Sequence, residues 1–156
     1  MIKQVAVVGG THGNEFTGIY LLKKWEAEPK VITRPSFNTE TLFANPQAFS
    51  QNKRYVEHDL NRCFDQRHLE DDSLTSIEQV RAKEINALLG PKGQPRIDFI
   101  IDLHTTTSNM GPTLLITQKG AFYNQLAAYI SMEMPEVIIS CDEDHKANED
   151  HHFLSS

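Results

Sequence analysis

Val5-Ala6-Val7-Val8-Gly9-Gly10-Thr11-His12-Gly13-Asn14-Glu15 is the stretch whose reading decides the fold. A short run rich in β-branched residues ends at a glycine pair, the pattern of a buried strand entering a sharp turn. Beyond Glu15 the period changes. Phe16, Ile19, Tyr20, Leu22 and Trp25 recur at mixed three- and four-residue spacing, as on one face of a helix running to about Glu28 and closed by Pro29. Strand, glycine turn and helix make the opening unit of an α/β fold.

The same alternation continues outward from that unit. Residues 74–89 read as a helix stopped by Gly90-Pro91, and residues 97–103 as a second strong strand. A strand over 113–117, a helix over 122–132 and a strand over 137–140 follow, whereas 31–56 is harder to read, with a strand around Leu42-Phe43-Ala44. Near-continuous apolar strands favour a mixed, mostly parallel sheet with helices on both faces. The chain reads as one domain over 1–156, without repeats or a low-complexity linker.

Composition narrows the function. An apolar fraction of 39% and a charged fraction of 23% are those of a soluble globular protein. A net charge of −6 and the lack of a Lys/Arg cluster argue against a nucleic-acid partner. No window approaches the roughly 18 apolar residues of a membrane span, and the start lacks a signal-peptide pattern. Cys63 and Cys141 are too few for a disulfide framework, so free thiols in a reducing cytoplasm are expected. The acidic patches Glu70-Asp71-Asp72 and Asp142-Glu143-Asp144 read as solvated loops.

His12 and Glu15 stand three residues apart at the carboxyl end of the first strand, where open α/β sheets place their ligand sites. On a tight turn into a helix, that spacing lets an imidazole and a carboxylate meet one ion. The motif alone is weak, because seven histidines make such a pair easy to find by chance. His104 adds weight by following the second apolar strand directly. Two His and one carboxylate leave a fourth zinc position open to water, the pattern of a catalytic rather than a structural site. Asp102 lies two residues before His104 and so points the same way from an extended strand. It reads either as a carboxylate that orients His104 or as a buried hydrogen-bond acceptor.

Arg54 and the Asn61-Arg62 pair flank an acidic segment, which in isolation is most simply a surface salt-bridge network. A guanidinium beside an amide also suits bidentate capture of a substrate carboxylate, and a second arginine suits polarisation of a carbonyl.

Taken in order, Gly9-Gly10-Thr11-His12-Gly13-Asn14-Glu15, Asp59-Leu60-Asn61-Arg62-Cys63-Phe64 and Asp102-Leu103-His104-Thr105-Thr106-Thr107-Ser108-Asn109-Met110-Gly111 resemble successive motifs of the aspartoacylase family. That family belongs with the zinc carboxypeptidase-like hydrolases and includes succinylglutamate desuccinylase. The resemblance runs over essentially the whole chain. It implies one zinc on His12, Glu15 and His104, Arg54 facing the carbonyl oxygen, and Asn61 with Arg62 on the amino-acid carboxylate. The implied activity is zinc-dependent deacylation of a small acidic N-acyl amino acid, N-acetyl-L-aspartate leading, with succinyl or aromatic substrates as alternatives. A zinc-binding module without catalysis is a different class of reading, and a homo-oligomer is left open.

The resemblance also implies a general-base glutamate and a further C-terminal domain beyond the part matched. Glu143 and Glu149 lack the strand context of that base. The expectation is therefore an N-terminal portion of a catalytic domain that binds zinc, has little or no hydrolase activity alone, and exposes a sheet edge or apolar face.

Overall fold

The computed structural model describes residues 2–141 and divides into two compact units, one up to Thr105 and one from Thr106 onward. The polar tail carrying Glu143, His145, Glu149, His151 and His152 lies outside the described residues.

The first unit is built on a sheet of three parallel strands in the order β2-β1-β3: β1 (Gln4–Gly9), β2 (Asn38–Phe43) and β3 (Phe99–Leu103). The central strand is the one whose apolar run opened the reading. It alternates between two helical layers. Ala6 and Val8 enter a core with Ala82, Ile85 and Leu89 of the helix α4 (Ile77–Leu89). On the opposite face, Gly9 rests against Gly18 and Leu22 of α1 (Phe16–Ala27), whose Ile19 and Leu22 are buried. Helices on both faces leave the central strand dry from Val5 on, which is why that run is apolar rather than alternating.

The order matters for function. From β1 the chain crosses one face through α1 to reach β2. It then returns over the other face, through α2 (Pro46–Ser50), α3 (Gln66–Glu70) and α4, to lay β3 on the far side of β1. The carboxyl ends of β1 and β3 therefore form the crevice at which the winding reverses, the preferred ligand position of such sheets.

The boundaries differ from the sequence reading where side-chain capping decides them. α4 starts at Ile77 rather than 74, because Ser76 and Gln79 close a capping box. β3 starts at Phe99 rather than 97: Asp98 instead accepts the backbone N–H groups of Lys3 and Gln4, at 2.7 and 2.9 Å. In the difficult stretch, β2 extends back to Asn38, and Asn45 with Pro46 starts the short α2 by accepting from the Ala48 N–H.

The second unit pairs β4 (Thr113–Ile116) with β5 (Ile138–Cys141) in parallel, joined through α5 (Ala121–Glu133). Every pairing among the described residues is thus parallel. No residue of α5 is buried, and its Tyr129 and Met132 are largely exposed. Among the described residues no helix is long and apolar enough to cross a membrane.

Candidate metal centre

The turn after β1 is shaped by backbone constraints before any ligand chemistry enters. Gly10 has a φ of +72°, a conformation that a side chain disfavours. At Gly13 a Cβ would lie 2.2 Å from the backbone of Ala48 and Phe49, so only glycine lets the turn pass α2. The Gly13 N–H donates to the Arg54 carbonyl at 3.1 Å, which fastens the turn to the segment carrying the arginines. Glu15 occupies the position that starts α1, yet its side chain caps nothing there. It swings into the crevice instead.

There it meets both histidines. His12 Nδ1 lies 2.7 Å from one Glu15 oxygen and His104 Nδ1 lies 3.1 Å from the other. The Thr105 N–H donates to that second oxygen at 2.7 Å. One candidate ligand atom from each of His12, Glu15 and His104 falls within 4.8 Å of the others, close enough to share one ion. Glu15 and His104 stand 89 positions apart in sequence, and the adjacency of β1 and β3 is what unites them.

Each imidazole is also held at its far nitrogen by a carboxylate. His104 Nε2 is 2.7 Å from Asp102, and Asp102 accepts in turn from the Thr11 hydroxyl at 3.0 and 3.2 Å. His12 Nε2 is 3.1 Å from Asp59. Pairing of the distal nitrogen with a carboxylate is the arrangement that fixes tautomer and ring direction in metal-binding histidines. Asp102 was readable from its strand spacing, but Asp59 as the partner of His12 was not. It lies 47 residues away, at the head of the Asp59-Leu60-Asn61-Arg62 motif, whose reading assigned roles only to Asn61 and Arg62.

The electrostatics follow from this crowding. Burial alone would lower the His104 pKa, but the hydrogen bonds and charges of Asp102 and Glu15 outweigh it and push the value up to about 10. Burial raises the Glu15 carboxyl, and the bonds from His104, His12 and the Thr105 N–H pull it well below the ordinary carboxylate range. Burial likewise raises Asp59, while the His12 hydrogen bond and charge, the Asn61 N–H and Arg54 bring it down overall. In this arrangement a proton on His104 balances two carboxylates. A divalent cation would take over that role and release protons.

Arg54 reaches the rim of the cluster, its guanidinium 3.7 Å from Glu15 and 3.3 Å from Asp59, with about half of its side chain exposed. Asn61 and Arg62 occupy a single 3-10 turn, anchored by buried Leu60 and by Asp59, which accepts the Asn61 N–H at 3.1 Å. Asn61 is half-buried and Arg62 exposed. The structure thus gathers His12, Glu15, His104 and Asp102 directly, sets Arg54 at the edge, and carries Asn61 and Arg62 on the segment that supplies Asp59.

The segment from Arg54 to Arg62 depends on Glu78, a wholly buried residue in the first turn of α4 that the sequence reading passed over. Its carboxylate accepts from the backbone N–H groups of Val56, Glu57 and His58 and from the Asn45 side chain, at 2.7 to 3.2 Å. Burial raises its pKa, and these four donors more than reverse that, so the net shift is downward. A glutamate one residue into a helix usually reads as a favourable surface charge. Nothing local distinguishes this one.

The succinylglutamate desuccinylase/aspartoacylase catalytic domain model matches residues 1–156. A probable aspartoacylase of Trichodesmium erythraeum (strain IMS101) is 53% identical over 138 residues, covering 88% of this chain and 47% of the relative. A human N-acyl-aromatic-L-amino acid amidohydrolase (carboxylate-forming) is 42% identical, covering 90% and 44%. The crystal structure of murine aminoacylase 3 superposes with a TM-score of 0.83 at 38% identity, over 90% of this chain and 47% of that one. The chain spans about half the length of the curated relatives it matches.

Proposed function

The chain belongs to the succinylglutamate desuccinylase/aspartoacylase catalytic domain family, and from that premise we propose that it carries the zinc site of an N-acyl amino acid amidohydrolase. The observation that carries this reading is Glu15, each of whose oxygens faces one imidazole Nδ1. Two histidines and one carboxylate are the donor set of catalytic zinc sites that keep a position open. When bound, the ion lowers the pKa of a water and polarises a carbonyl.

The remaining roles belong to side chains of this chain. Asp102 and Asp59 hold the two imidazoles in the tautomer that presents Nδ1 inward. Arg54 faces the acyl carbonyl and stabilises the negative charge that develops on its oxygen. Asn61 and Arg62 hold the amino-acid carboxylate. The leading substrate is N-acetyl-L-aspartate, giving aspartate and acetate. Relatives named for aspartate and for aromatic N-acyl amino acids alike show that the family's amino-acid preference varies. The free thiols Cys63 and Cys141 suit a reducing, cytoplasmic setting.

The resemblance implies a general-base glutamate in the part of the relatives' length that this chain does not span. A positioned base contributes about 10²–10⁴ in rate, so a protein that spans the relatives' full length should hydrolyse far faster than residues 1–156 alone. Zinc content after dialysis, measured for the chain and for His12→Ala, tests the metal site: one ion per chain, lost in the variant, is expected. Unchanged zinc content in His12→Ala would overturn the site. Acetate release from N-acetylaspartate with zinc present tests the second claim, and robust turnover by residues 1–156 alone would sink it.

A further inference from the structure

We propose that Glu78 is the positioning residue of this site, a buried carboxylate that sets the segment 54–62 against the metal ligands and so governs metal affinity without touching the metal. The inference rests on the zinc reading above for its metal arm only.

Glu78 is fully buried and uses both oxygens. Oε1 accepts from Val56 N at 2.7 Å and Asn45 Nδ2 at 3.2 Å, while Oε2 accepts from Glu57 N and His58 N, each at 3.1 Å. Three successive backbone N–H groups converging on one carboxylate form an anion nest, with the anion provided by the protein itself. The tie is reciprocal, because the Glu57 carboxylate accepts the Ile77 N–H at the start of α4 at 2.6 Å. Loop and helix N-terminus therefore cap each other.

Two paths lead from this brace to the ligands. The first follows the loop: one residue after His58 comes Asp59, whose carboxylate holds His12 Nε2. On the other side of the braced residues, the Arg54 carbonyl accepts from Gly13 N. The second path runs through Asn45, which is 1% exposed. Its side chain donates to Glu78, its carbonyl-type oxygen starts α2 by accepting from Ala48 N at 3.1 Å, and its backbone N–H donates to Gly10 at 3.0 Å. Both paths end on the turn that presents His12. Among the described residues nothing comparable connects Glu78 to His104, so its loss should act on the His12 side.

The distinction from a merely structural residue is measurable. Glu78→Gln keeps the shape but turns an amide donor toward backbone N–H groups that need an acceptor. Amide hydrogen exchange and zinc titration of the full chain, with zinc ion alone as probe, read the two consequences separately. Exchange at Val56, Glu57 and His58 should rise at least tenfold in Glu78→Gln while the amides of β1 stay protected. Zinc affinity should fall about 10-fold or more, the range found when outer partners of ligands are removed. Glu78→Asp, one methylene shorter, should lie between the two. A folded Glu78→Gln with unchanged zinc affinity overturns the proposal, as does a rise in exchange spread uniformly over the first unit. Exchange at open-loop rates for those three amides in the unaltered chain overturns it whatever the variants do. If the unaltered chain takes up no zinc, the zinc reading fails, while the exchange pattern still decides the brace.

Discussion

The two imidazoles of the cluster are held by the same chemistry in unequal surroundings. His12 is almost wholly buried, 3% exposed, and its carboxylate partner comes from a loop 47 residues later. His104 keeps about a third of its side-chain surface exposed, and its partner sits two residues earlier, on the strand that ends just before it. The His104 pair is preset by proximity, because Asp102 lies on β3 and His104 follows one residue past its end. The His12 pair exists only while a separate loop is docked, and that docking relies on Glu78. One arm of the site is local and rigid by construction, and the other is assembled.

Glu15 is where the arms meet, so its loss has the largest expected effect. Glu15→Gln replaces one of the two acceptors by a donor and removes the charge that draws both imidazoles. Zinc affinity should drop by more than about 100-fold, beyond the usual cost of losing an outer partner. Isothermal titration with zinc measures it. A drop of only a few-fold would show that the arms do not converge on one ion.

Removing one partner from each arm should separate them. Asp59→Asn and Asp102→Asn should each weaken zinc binding by about 10–100-fold. Only Asp59→Asn should also raise amide exchange across 54–62, because that carboxylate additionally holds the Asn61 N–H and faces Arg54. Asp102→Asn should leave that loop protected. Equal loosening in both variants would abolish the contrast between a local and an assembled arm.

Acid should reveal the same asymmetry with a smaller effect. The Glu78 pKa is lower in the folded chain than its ordinary value. Its contribution to stability is therefore complete above the ordinary carboxylate pKa and is lost as pH falls through the depressed one. The stability gap between the unaltered chain and Glu78→Gln, on the order of 1–3 kcal/mol at neutral pH for buried donors left without their acceptor, should close over that acidic window. Urea unfolding of both proteins across pH 7 to 3 checks it. A gap that persists unchanged to the acid end would mean that the charge of Glu78 contributes nothing.

The legibility of the site divides along the same line. His12 and Glu15 were readable because strand, glycine turn and helix leave a local signature, and His104 with Asp102 because an apolar strand ends beside them. The helix after residue 74 was legible in kind but displaced at its start, since the Ser76 capping box rather than apolar spacing places the first turn. The stretch 31–56 was hard to read because its short elements depend on distant partners: β2 on β1, and α2 on Asn45 and the Gly13 turn. Asp59 and Glu78 were invisible as functional groups. Asp59 opens a recognisable motif and Glu78 is an ordinary acidic residue by sequence, but the role of each is made by what lies across the fold.

Sequence by itself determined the strand-turn-helix opening, the α/β class and the residue types that could meet a metal, because hydrophobic period and turn chemistry act between near neighbours. Only tertiary structure decided that β3 lies beside β1 rather than beyond β2, and so that His104 reaches Glu15. It alone turned Asp59 onto His12 and buried Glu78 beneath three backbone N–H groups. Those are contacts between residues tens of positions apart, and burial of a charge becomes favourable only where the folded chain supplies every donor it needs.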